Sequence, residues 1–243
     1  MLSSVGRLIL VKSVLSALTL HYMQVFNLPT WLITHLDGIR RRFFWKGNDK
    51  CLGGHCLVNW KKCCLPKRSG GLGILDLSVQ NQALLLRWLW KLKADPNVPW
   101  SVTVQNLYGS LDGHTFSGNH LVSNGLKEIL LFKDFFLASI TTDVNSHATL
   151  WRWTSSEIYS SSSAYSILVD PGIRSSYYLV LWKLNIPPRV KIFIWLLLQD
   201  RLLTQHNLNI QNWPTNDGCP CCPGNALETS LHLFLLCPLA KCI

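Results

Sequence analysis

Apolar residues recur at helical spacing near the start of the chain. Leu8 is followed three positions later by Val11, Val11 three and four positions later by Val14 and Leu15, and these two four and three positions later by Leu18. Because such steps place side chains on one face of an α-helix, they predict a helix over residues 3–26. Ser3 or Ser4 can cap its N-terminus, and Pro29 is expected to end it.

The same periodicity returns in four later stretches. It predicts helices over residues 30–45, 80–94, 121–138 and 189–203. Gly47 is expected to stop the first of these, and the serine run 160–163 can cap a further short helix through Tyr165 and Leu168. In the helix predicted over residues 30–45, the expected apolar face is Leu32, Leu36, Ile39 and Phe43. In the helix predicted over residues 189–203, it is Val190, Phe193, Ile194, Leu197 and Leu198.

The segments between these helices suggest how the chain is divided. Residues 48–77 contain two glycine pairs and basic steps, which favours a loop with short strands. Pro96 and Pro99 mark a boundary, and residues 96–148 are expected to be a spacer. The predicted fold class is therefore mainly α, with a helical segment 1–95 and a small helical module 149–243.

Charge separates the two ends of this 243-residue chain. The formal net charge is +10, and residues 1–100 contain 14 Lys and Arg against 4 Asp and Glu, whereas residues 101–243 contain 9 of each. An excess of this kind favours a polyanionic partner, with nucleic acid ahead of a membrane surface. A solvated basic face without a partner is the alternative. The candidate phosphate contacts are Arg7, Lys12, Arg40, Arg41, Arg42, Lys61, Lys62, Lys67 and Arg68.

The nine cysteines carry the sharpest chemical signal. Cys219, Cys222, His232 and Cys237 form the pattern C-x2-C-x9-H-x4-C, three thiolates and one imidazole, which suits one structural zinc ion. Buried inert thiols are the alternative, and Cys221 or Cys242 could replace one of the four. The irregular second group, Cys51, Cys56, Cys63 and Cys64 with His55, predicts a metal site less well.

Motifs for catalysis are not found. The sequence has no adjacent Asp-Asp pair, no G-x-S-x-G, no P-loop and no H-E-x-x-H, so we expect no catalytic centre in this chain. The eleven tryptophans, several beside basic residues, could stack on single-stranded nucleic acid, although core packing is the more common use. No small-molecule substrate is indicated.

Compartment is predicted from hydropathy and cysteine usage. No secretory signal is apparent, and the apolar run 192–198 is far shorter than the roughly 20 residues that a membrane span needs. Reduced thiols and an intracellular location are the expectation, without a membrane partner.

Several short motifs together resemble the C-terminal part of plant LINE-type, non-LTR retrotransposon reverse transcriptases. The residues 3–15 (SSVGRLILVKSVL) are similar to the helix of the family's thumb region, although Val5 stands where a second glycine is usual. Further similar segments are residues 43–47 (FFWKG), 58–60 (VNW), 64–74 (CLPKRSGGLGI), 81–85 (NQALL), 151–153 (WRW), 163–165 (SAY), 182–183 (WK), 187–195 (PPRVKIFIW), 200–204 (DRLLT), 228–229 (ET), 232–234 (HLF) and 237–240 (CPLA).

The resemblance adds expectations about each part of the chain. It implies that residues 1–95 are thumb-like, that residues 149–243 are a reverse transcriptase zinc-binding domain, and that the protein resides in the nucleus. It also implies zinc ligation by Cys219, Cys222, His232 and Cys237. The family's palm, with its paired aspartates, would lie before Met1. The expected product is therefore a non-catalytic, nucleic-acid-binding fragment; a zinc-stabilised protein-interaction module or a degenerate element product without function are the alternatives.

Overall fold

Helices dominate the computed structural model, which describes residues 2–47, 56–109, 111, 123–143, 148–214, 218–222 and 226–242. The two strands in this part of the chain, β1 (Ile140–Thr142) and β2 (Thr149–Trp151), form one antiparallel hairpin in which Thr141 pairs with Leu150. The predicted mainly α class is confirmed.

The N-terminal helices have well-defined ends. The Ser3 side chain caps α1 (Ser4–Leu10) by accepting a hydrogen bond from the Gly6 amide, and the Asp76 side chain caps α5 (Leu77–Ala94) by accepting from the Ser78 and Val79 amides. Gly47 ends α3 (Thr30–Lys46) at a φ of 80°, a conformation that glycine adopts without strain. These elements are α1 (Ser4–Leu10), a π-helical turn (Val11–Leu15), α2 (Leu20–Met23), α3 (Thr30–Lys46), α4 (Trp60–Cys64), a 3-10 turn (Lys67–Ser69) and α5 (Leu77–Ala94).

The remaining helices are shorter. Ser160 caps α9 (Ser161–Leu168) by accepting a hydrogen bond from the Ser163 amide, as the serine run predicts. The elements are α6 (Pro99–Tyr108), α7 (Asn124–Leu130), α8 (Lys133–Ser139), α9 (Ser161–Leu168), α10 (Ser176–Lys183), α11 (Pro188–Leu198), α12 (Gln205–Ile210), a π-helical turn (His232–Leu236) and α13 (Pro238–Lys241).

Three predicted helices differ in extent from the observed ones. The helix expected over residues 3–26 is interrupted after the π-helical turn, and the one expected over 121–138 is divided between α7 and α8. The last, expected to reach residue 203, stops at Leu198 because Asp200 adopts a left-handed φ of 51°.

The predicted apolar faces were also wrong in part. In α3 the buried residues are Arg40 and Phe44, while Ile39 is 38% exposed. In α11 the buried residues are Ile192 and Trp195, whereas Phe193 is exposed. In both helices, therefore, the face that packs against the rest of the protein differs from the face that hydrophobic periodicity predicted.

The first hydrophobic core joins distant parts of the sequence. Trp195 of α11 is fully buried, and its indole N–H donates a 2.8 Å hydrogen bond to the Gly70 carbonyl. Gln199 donates to the same carbonyl. The buried members of this core are Val11, Phe44, Val58, Trp60, Cys63, Cys64, Leu72, Ile74, Leu181 and Trp195. The loop 65–74 is thus packed directly against the C-terminal half of the chain.

The second core surrounds α5. Trp151 at the end of β2 is fully buried and lies edge-on to Tyr159, with ring centroids 4.9 Å apart. Tyr159 donates a hydrogen bond to the Ala83 carbonyl of α5. The buried members are Ala83, Leu86, Leu89, Leu92, Leu111, Phe136, Trp151, Tyr159 and Ala164. Residues of the expected spacer, such as Phe136, therefore pack in a core, and the division at residues 95 and 148 stays a prediction.

None of the helices in the described ranges combines the length and the apolar character that crossing a bilayer requires.

Candidate metal centre

A tight turn positions the first two cysteines near the C-terminus. Gly218 and Leu227 form an antiparallel bridge, and the Cys219 amide donates a 2.7 Å hydrogen bond to the Ala226 carbonyl. The Cys222 amide then donates to the Cys219 carbonyl at 3.2 Å, which closes the turn. Two intervening residues are the spacing that allows one turn to direct two sulfur atoms toward one point.

A π-helical turn supplies the other two side chains. The Thr229 hydroxyl accepts the His232 amide at 3.1 Å and so fixes the start of this turn. The Cys237 amide donates to the His232 carbonyl at 2.7 Å, a bond that spans five residues. Cys237 is also the residue immediately before α13. His232 and Cys237 are therefore held at the two ends of one turn.

Four potential donor atoms meet where these two turns face each other. Donor atoms of Cys219, Cys222, His232 and Cys237 all lie within 4.8 Å of one another. Cys222 Sγ is 3.2 Å from His232 Nε2 and 3.6 Å from Cys237 Sγ. A tetrahedral site with Zn–S bonds of about 2.3 Å requires sulfur atoms roughly 3.8 Å apart. The cluster therefore has nearly the dimensions of a zinc site.

The cluster perturbs the acidity of its thiols. Burial raises the pKa of Cys222 to about 12, with further contributions from its contacts with Cys237 and Cys219. Burial also acts to raise the pKa of Cys237, but hydrogen bonds from the backbone amides of Leu239 and Ala240, together with those from Cys222 and Cys219, lower that pKa overall. The thiolate form of Cys237 is thus favoured, whereas the neighbouring thiol of Cys222 resists ionisation. A divalent cation would remove this conflict, because it stabilises every thiolate around it.

Comparison with known proteins connects this region to one family. Residues 159–243 match the family described as zinc-binding in reverse transcriptase. The matched region begins just before α9 and includes all four members of the cluster. It covers both cysteine turns and α11.

A second comparison covers nearly the whole chain. A protein of Arabidopsis thaliana named "Putative ribonuclease H protein" is 25% identical over an alignment of 318 positions, which includes 98% of this chain and 51% of that protein. The chain therefore spans about half the length of this relative. No solved structure matches the chain.

The other described cysteines are not members of the four-residue cluster. Cys221 and Cys242, which the spacing left as alternative ligands, are both exposed. Cys63 and Cys64 are buried in the first core, and burial raises the pKa of the Cys63 thiol to about 12. Within the described residues, the cluster around Cys222 is the one group of potential metal ligands. Cys51 and His55 of the second predicted group lie outside the described residues.

The predicted phosphate contacts have very different environments. Arg41, Lys61, Lys62 and Lys67 are exposed, and Arg41 and Lys61 line the same groove between α3 and α4. Arg7 is half-buried and donates to the Phe44 and Trp45 carbonyls, so it satisfies the C-terminus of α3. Arg68 pairs with Asp170 at 2.6 Å, and Arg42 is half-buried.

Arg40 does not fit the predicted role in contacting phosphate. It is 2% exposed, and its guanidinium donates to Asp37, to the Ser16 hydroxyl and to the Leu75 carbonyl. It also lies 5.5 Å from the centre of the Trp60 ring. These hydrogen bonds connect α3 to the end of the first π-helical turn and to the segment before α5, and Arg40 is buried between them. The run of three arginines gave no signal that distinguished it from Arg41.

One residue near the basic region, Lys191, was missed from the sequence. Lys191 on α11 lies in a cleft beside Lys12 and Lys67, and its amine donates to the Trp182 carbonyl at 3.2 Å. Lys191 belongs to a region of balanced charge, so the uneven distribution of Lys and Arg did not point to it. Only the packing of α11 against α1 brings these lysines together.

Proposed function

We propose that this chain is a nucleic-acid-binding fragment of a reverse transcriptase in which one structural zinc ion stabilises the C-terminal segment. Cys219, Cys222, His232 and Cys237 would be the ligands. The observation that carries the proposal is the convergence of their donor atoms within 4.8 Å. The match of residues 159–243 to a zinc-binding family supports the choice of metal. Three sulfur donors and one nitrogen donor suit zinc better than magnesium or calcium.

A structural role for zinc is favoured over a catalytic one. Four protein ligands complete the tetrahedral coordination of the ion, which leaves no position for a water nucleophile. The hydrogen bonds from Cys219 to Ala226 and from Cys237 to His232 belong to the turns that display the ligands. When bound, zinc would supply a crosslink between these two turns. The residues of the two turns would fix the positions of the four ligands around the ion.

Nucleic-acid binding is proposed for the exposed cations of the N-terminal segment. Arg41 and Lys61 border one groove, and Lys62 and Lys67 are exposed nearby in sequence. Long basic side chains of this kind neutralise backbone phosphates without reading base sequence. RNA or DNA would therefore bind with little sequence preference and with strong dependence on salt.

The finer identity of the protein is also a proposal. We infer a plant LINE-type, non-LTR retrotransposon origin, a thumb-like segment 1–95, a spacer 96–148 and a zinc-binding domain 149–243. The motifs over residues 64–74 and 187–195 support this origin. Residence in the nucleus follows from the same inference.

We further propose that the chain has no catalytic centre of its own. Asp37 is paired with Arg40, Asp76 caps α5, and Asp170 is paired with Arg68. These structural uses of single carboxylates support the proposal. Ribonuclease H activity belongs to the name of the Arabidopsis relative; magnesium-dependent cleavage of an RNA–DNA hybrid by the purified chain would contradict a non-catalytic role.

A protein-interaction role for the C-terminal segment is the second candidate. Leu231, Leu235, Leu236 and Leu239 are neighbours of His232 and Cys237 in the sequence and are 53–63% exposed. Exposed apolar residues grouped in this way are typical of a contact surface for another protein. The neutral charge balance of residues 101–243 also favours this candidate for that half of the chain.

Zinc content tests the metal proposal directly. The purified full chain should contain about one zinc ion, as expected for a single four-ligand site. A Cys219→Ser/Cys222→Ser variant should contain none, while Cys221→Ser, which alters an exposed neighbour, should retain the ion. A well-folded wild-type protein without zinc would overturn the ligand assignment.

Salt-dependent binding separates the two candidate functions. The affinity of the full chain for a short labelled RNA should fall steeply as potassium chloride increases, and Arg41→Gln/Lys61→Gln should weaken it. The matched control is Lys127→Gln/Lys183→Gln, which removes two exposed cations from α7 and α10. Equal affinity of the two variants would show that RNA binds outside the N-terminal groove. Absence of RNA binding by the wild type would favour the protein-interaction role.

A further inference from the structure

We propose that Lys12, Lys67 and Lys191 form a binding site for one backbone phosphate of a nucleic acid, in a cleft that both halves of the chain build together. This inference rests on the proposed nucleic-acid binding and names a specific place for it. Lys12 follows α1, Lys67 belongs to the loop before α5, and Lys191 lies on α11. The third lysine is part of the region that matches the zinc-binding family.

Contacts around Gly73 and Trp182 bring the three amines to one cleft. A Cβ atom on Gly73 would lie 3.6 Å from Lys12 Nζ and 3.6 Å from Lys67 Cγ, so these two side chains flank one glycine. Lys67 Nζ is 4.9 Å from the centre of the Trp182 ring, and Lys191 Nζ donates to the Trp182 carbonyl at 3.2 Å. Trp182 thus holds two of the cations at the cleft.

The charges in the cleft are not balanced by its lining residues. The cleft is lined by Val5, Leu8, Ile9, Lys12, Lys67, Trp182, Pro188, Lys191 and Ile192, none of which is acidic. Burial lowers the pKa of Lys12 to about 8, and repulsion from Lys67 contributes. Placing three amines together is unfavourable unless an anion joins them. A bound anion would favour the protonated form of Lys12.

The donors available in the cleft suit a phosphate group. Each ammonium has three N–H donors, and Lys12 uses one of them for the Leu72 carbonyl. The cleft volume of about 280 Å³ equals the space of roughly nine water molecules, enough for a phosphate and part of its sugar. Its apolar walls would strengthen the charge-assisted hydrogen bonds.

The charge of the chain explains why a phosphodiester is preferred to a free anion. Residues 1–100, which supply Lys12 and Lys67, contain 14 Lys and Arg against 4 Asp and Glu. Such an excess favours a polyanion over a single anion. Binding would then depend on α11 being packed against α1, and so would couple the two halves of the chain.

The test uses the full chain and a short labelled single-stranded RNA. Fluorescence anisotropy over a series of potassium chloride concentrations gives the affinity and its salt dependence. Lys67→Gln/Lys191→Gln should weaken binding roughly tenfold or more through lost charge-assisted hydrogen bonds. It should also reduce the slope of log affinity against log salt by about 0.7, the value for one neutralised phosphate of a single strand.

Matched variants distinguish this site from general electrostatics. Lys127→Gln/Lys183→Gln removes the same charge from exposed positions outside the cleft and should change affinity much less. Lys67→Arg/Lys191→Arg keeps the charge and should retain most of the affinity. Equal circular dichroism spectra and melting temperatures verify that every variant is folded.

Each outcome has a definite meaning. If the wild type binds RNA but the cleft variant binds as well as its charge-matched control, the cleft is not a phosphate site and the proposed nucleic-acid binding still stands. If the wild type shows no salt-dependent binding, the proposed function fails and the cleft fails with it. Selective loss in the cleft variant, recovered with arginine, supports the site.

Discussion

The body of the molecule and its C-terminal segment are stabilised in different ways. In the body, Trp151, Trp195, Phe44 and Phe136 are all almost completely buried, and α5 packs between several helices. In the described part of the segment 218–242, the buried residues are Cys219, Ser230 and Cys237. The larger apolar side chains around them are exposed. The body therefore has hydrophobic cores, and the segment has a cluster of potential metal ligands.

This difference follows from size. A short segment cannot bury enough apolar surface to offset the conformational entropy lost when it is ordered. A metal ion can replace that missing surface, because its ligands are brought together only in the folded state. The two regions should consequently respond differently to chelation, to core mutations and to charge changes.

Loss of a zinc ligand should have the largest effect. Cys222→Ser should unfold the C-terminal segment, because apparent zinc binding in small sites is worth on the order of 10 kcal/mol at neutral pH. The two cores should remain folded. Cys221→Ser should change little, since Cys221 is exposed and lies outside the cluster. Limited proteolysis with identification of the cleavage sites would show which region has opened; cleavage throughout the body would contradict the separation.

Truncation of a core tryptophan should destabilise the body instead. Trp195→Ala creates a cavity in the first core and leaves the Gly70 carbonyl without its 2.8 Å hydrogen bond. We expect a loss of about 3–5 kcal/mol in the free energy of unfolding in urea. Trp213→Ala, at a position that is 55% exposed, should cost much less. Similar losses for the two variants would show that α11 is not part of the core.

The neighbouring arginines of α3 should have separate roles. Arg40→Gln leaves the half-buried Asp37 carboxylate without its 2.7 Å partner, so we expect about 3 kcal/mol of destabilisation. Arg41→Gln should leave stability unchanged and weaken RNA binding, because Arg41 is exposed. Urea titration and anisotropy measured on both variants would reveal the contrast.

The pH dependence of the Arg40 variant sharpens this prediction. Burial already raises the pKa of Asp37, and Arg40 acts to lower it. Without Arg40 the folded-state pKa rises further above the unfolded value, so the folded protein binds more protons. The stability of Arg40→Gln should therefore decrease as pH rises through the folded-state pKa of Asp37. A constant difference from wild type across acidic pH would contradict this.

A methyl group on Gly71 should disturb the loop that joins the two halves. A Cβ atom there would lie 2.0 Å from the Leu65 carbonyl oxygen, a backbone atom that cannot move aside easily. Gly71→Ala should cost about 2 kcal/mol in urea titration. Gly125→Ala is the matched control, because its added methyl group meets nothing within 4 Å. Equal stability of the two variants would contradict the close packing of this loop.

The ion pair between Arg68 and Asp170 should have the smallest effect. Its N–O distance is 2.6 Å, but the Arg68 side chain is 37% exposed and accessible to solvent. Exposed pairs of this type contribute less than about 1 kcal/mol. A double-mutant cycle of Arg68→Gln and Asp170→Asn should therefore give a small coupling energy. A large one would make charge, rather than the apolar core, the main link between the halves.

Local sequence patterns predicted several helix caps well, but they predicted less well which side chains are buried. Caps such as Ser3, Gly47 and Ser160 act within a few residues, and each was correct. The buried face of α11 depends on a partner loop more than a hundred residues away, so Trp195 could not be selected by periodicity. In the same way, burial of Arg40 depends on Ser16, Leu75 and Trp60, which are distant in sequence.

The candidate metal site was easier to predict because its information is local. The turn at Cys219 and the turn from His232 to Cys237 are each short, so spacing alone indicated four donors. Spacing did not distinguish Cys222 from Cys221, and the structure separates them by exposure. The lysine cleft was not predicted, because α11 and α1 meet only through the first core.

Hydrogen exchange measured by mass spectrometry, with and without a zinc chelator, tests most directly whether the two regions have different sources of stability. Chelation should abolish amide protection in peptides covering residues 218–242 and leave peptides of α5 and α11 protected. Equal protection of the C-terminal peptides in both conditions would contradict a zinc-stabilised segment. Loss of protection throughout α5 and α11 would contradict an independently stable body.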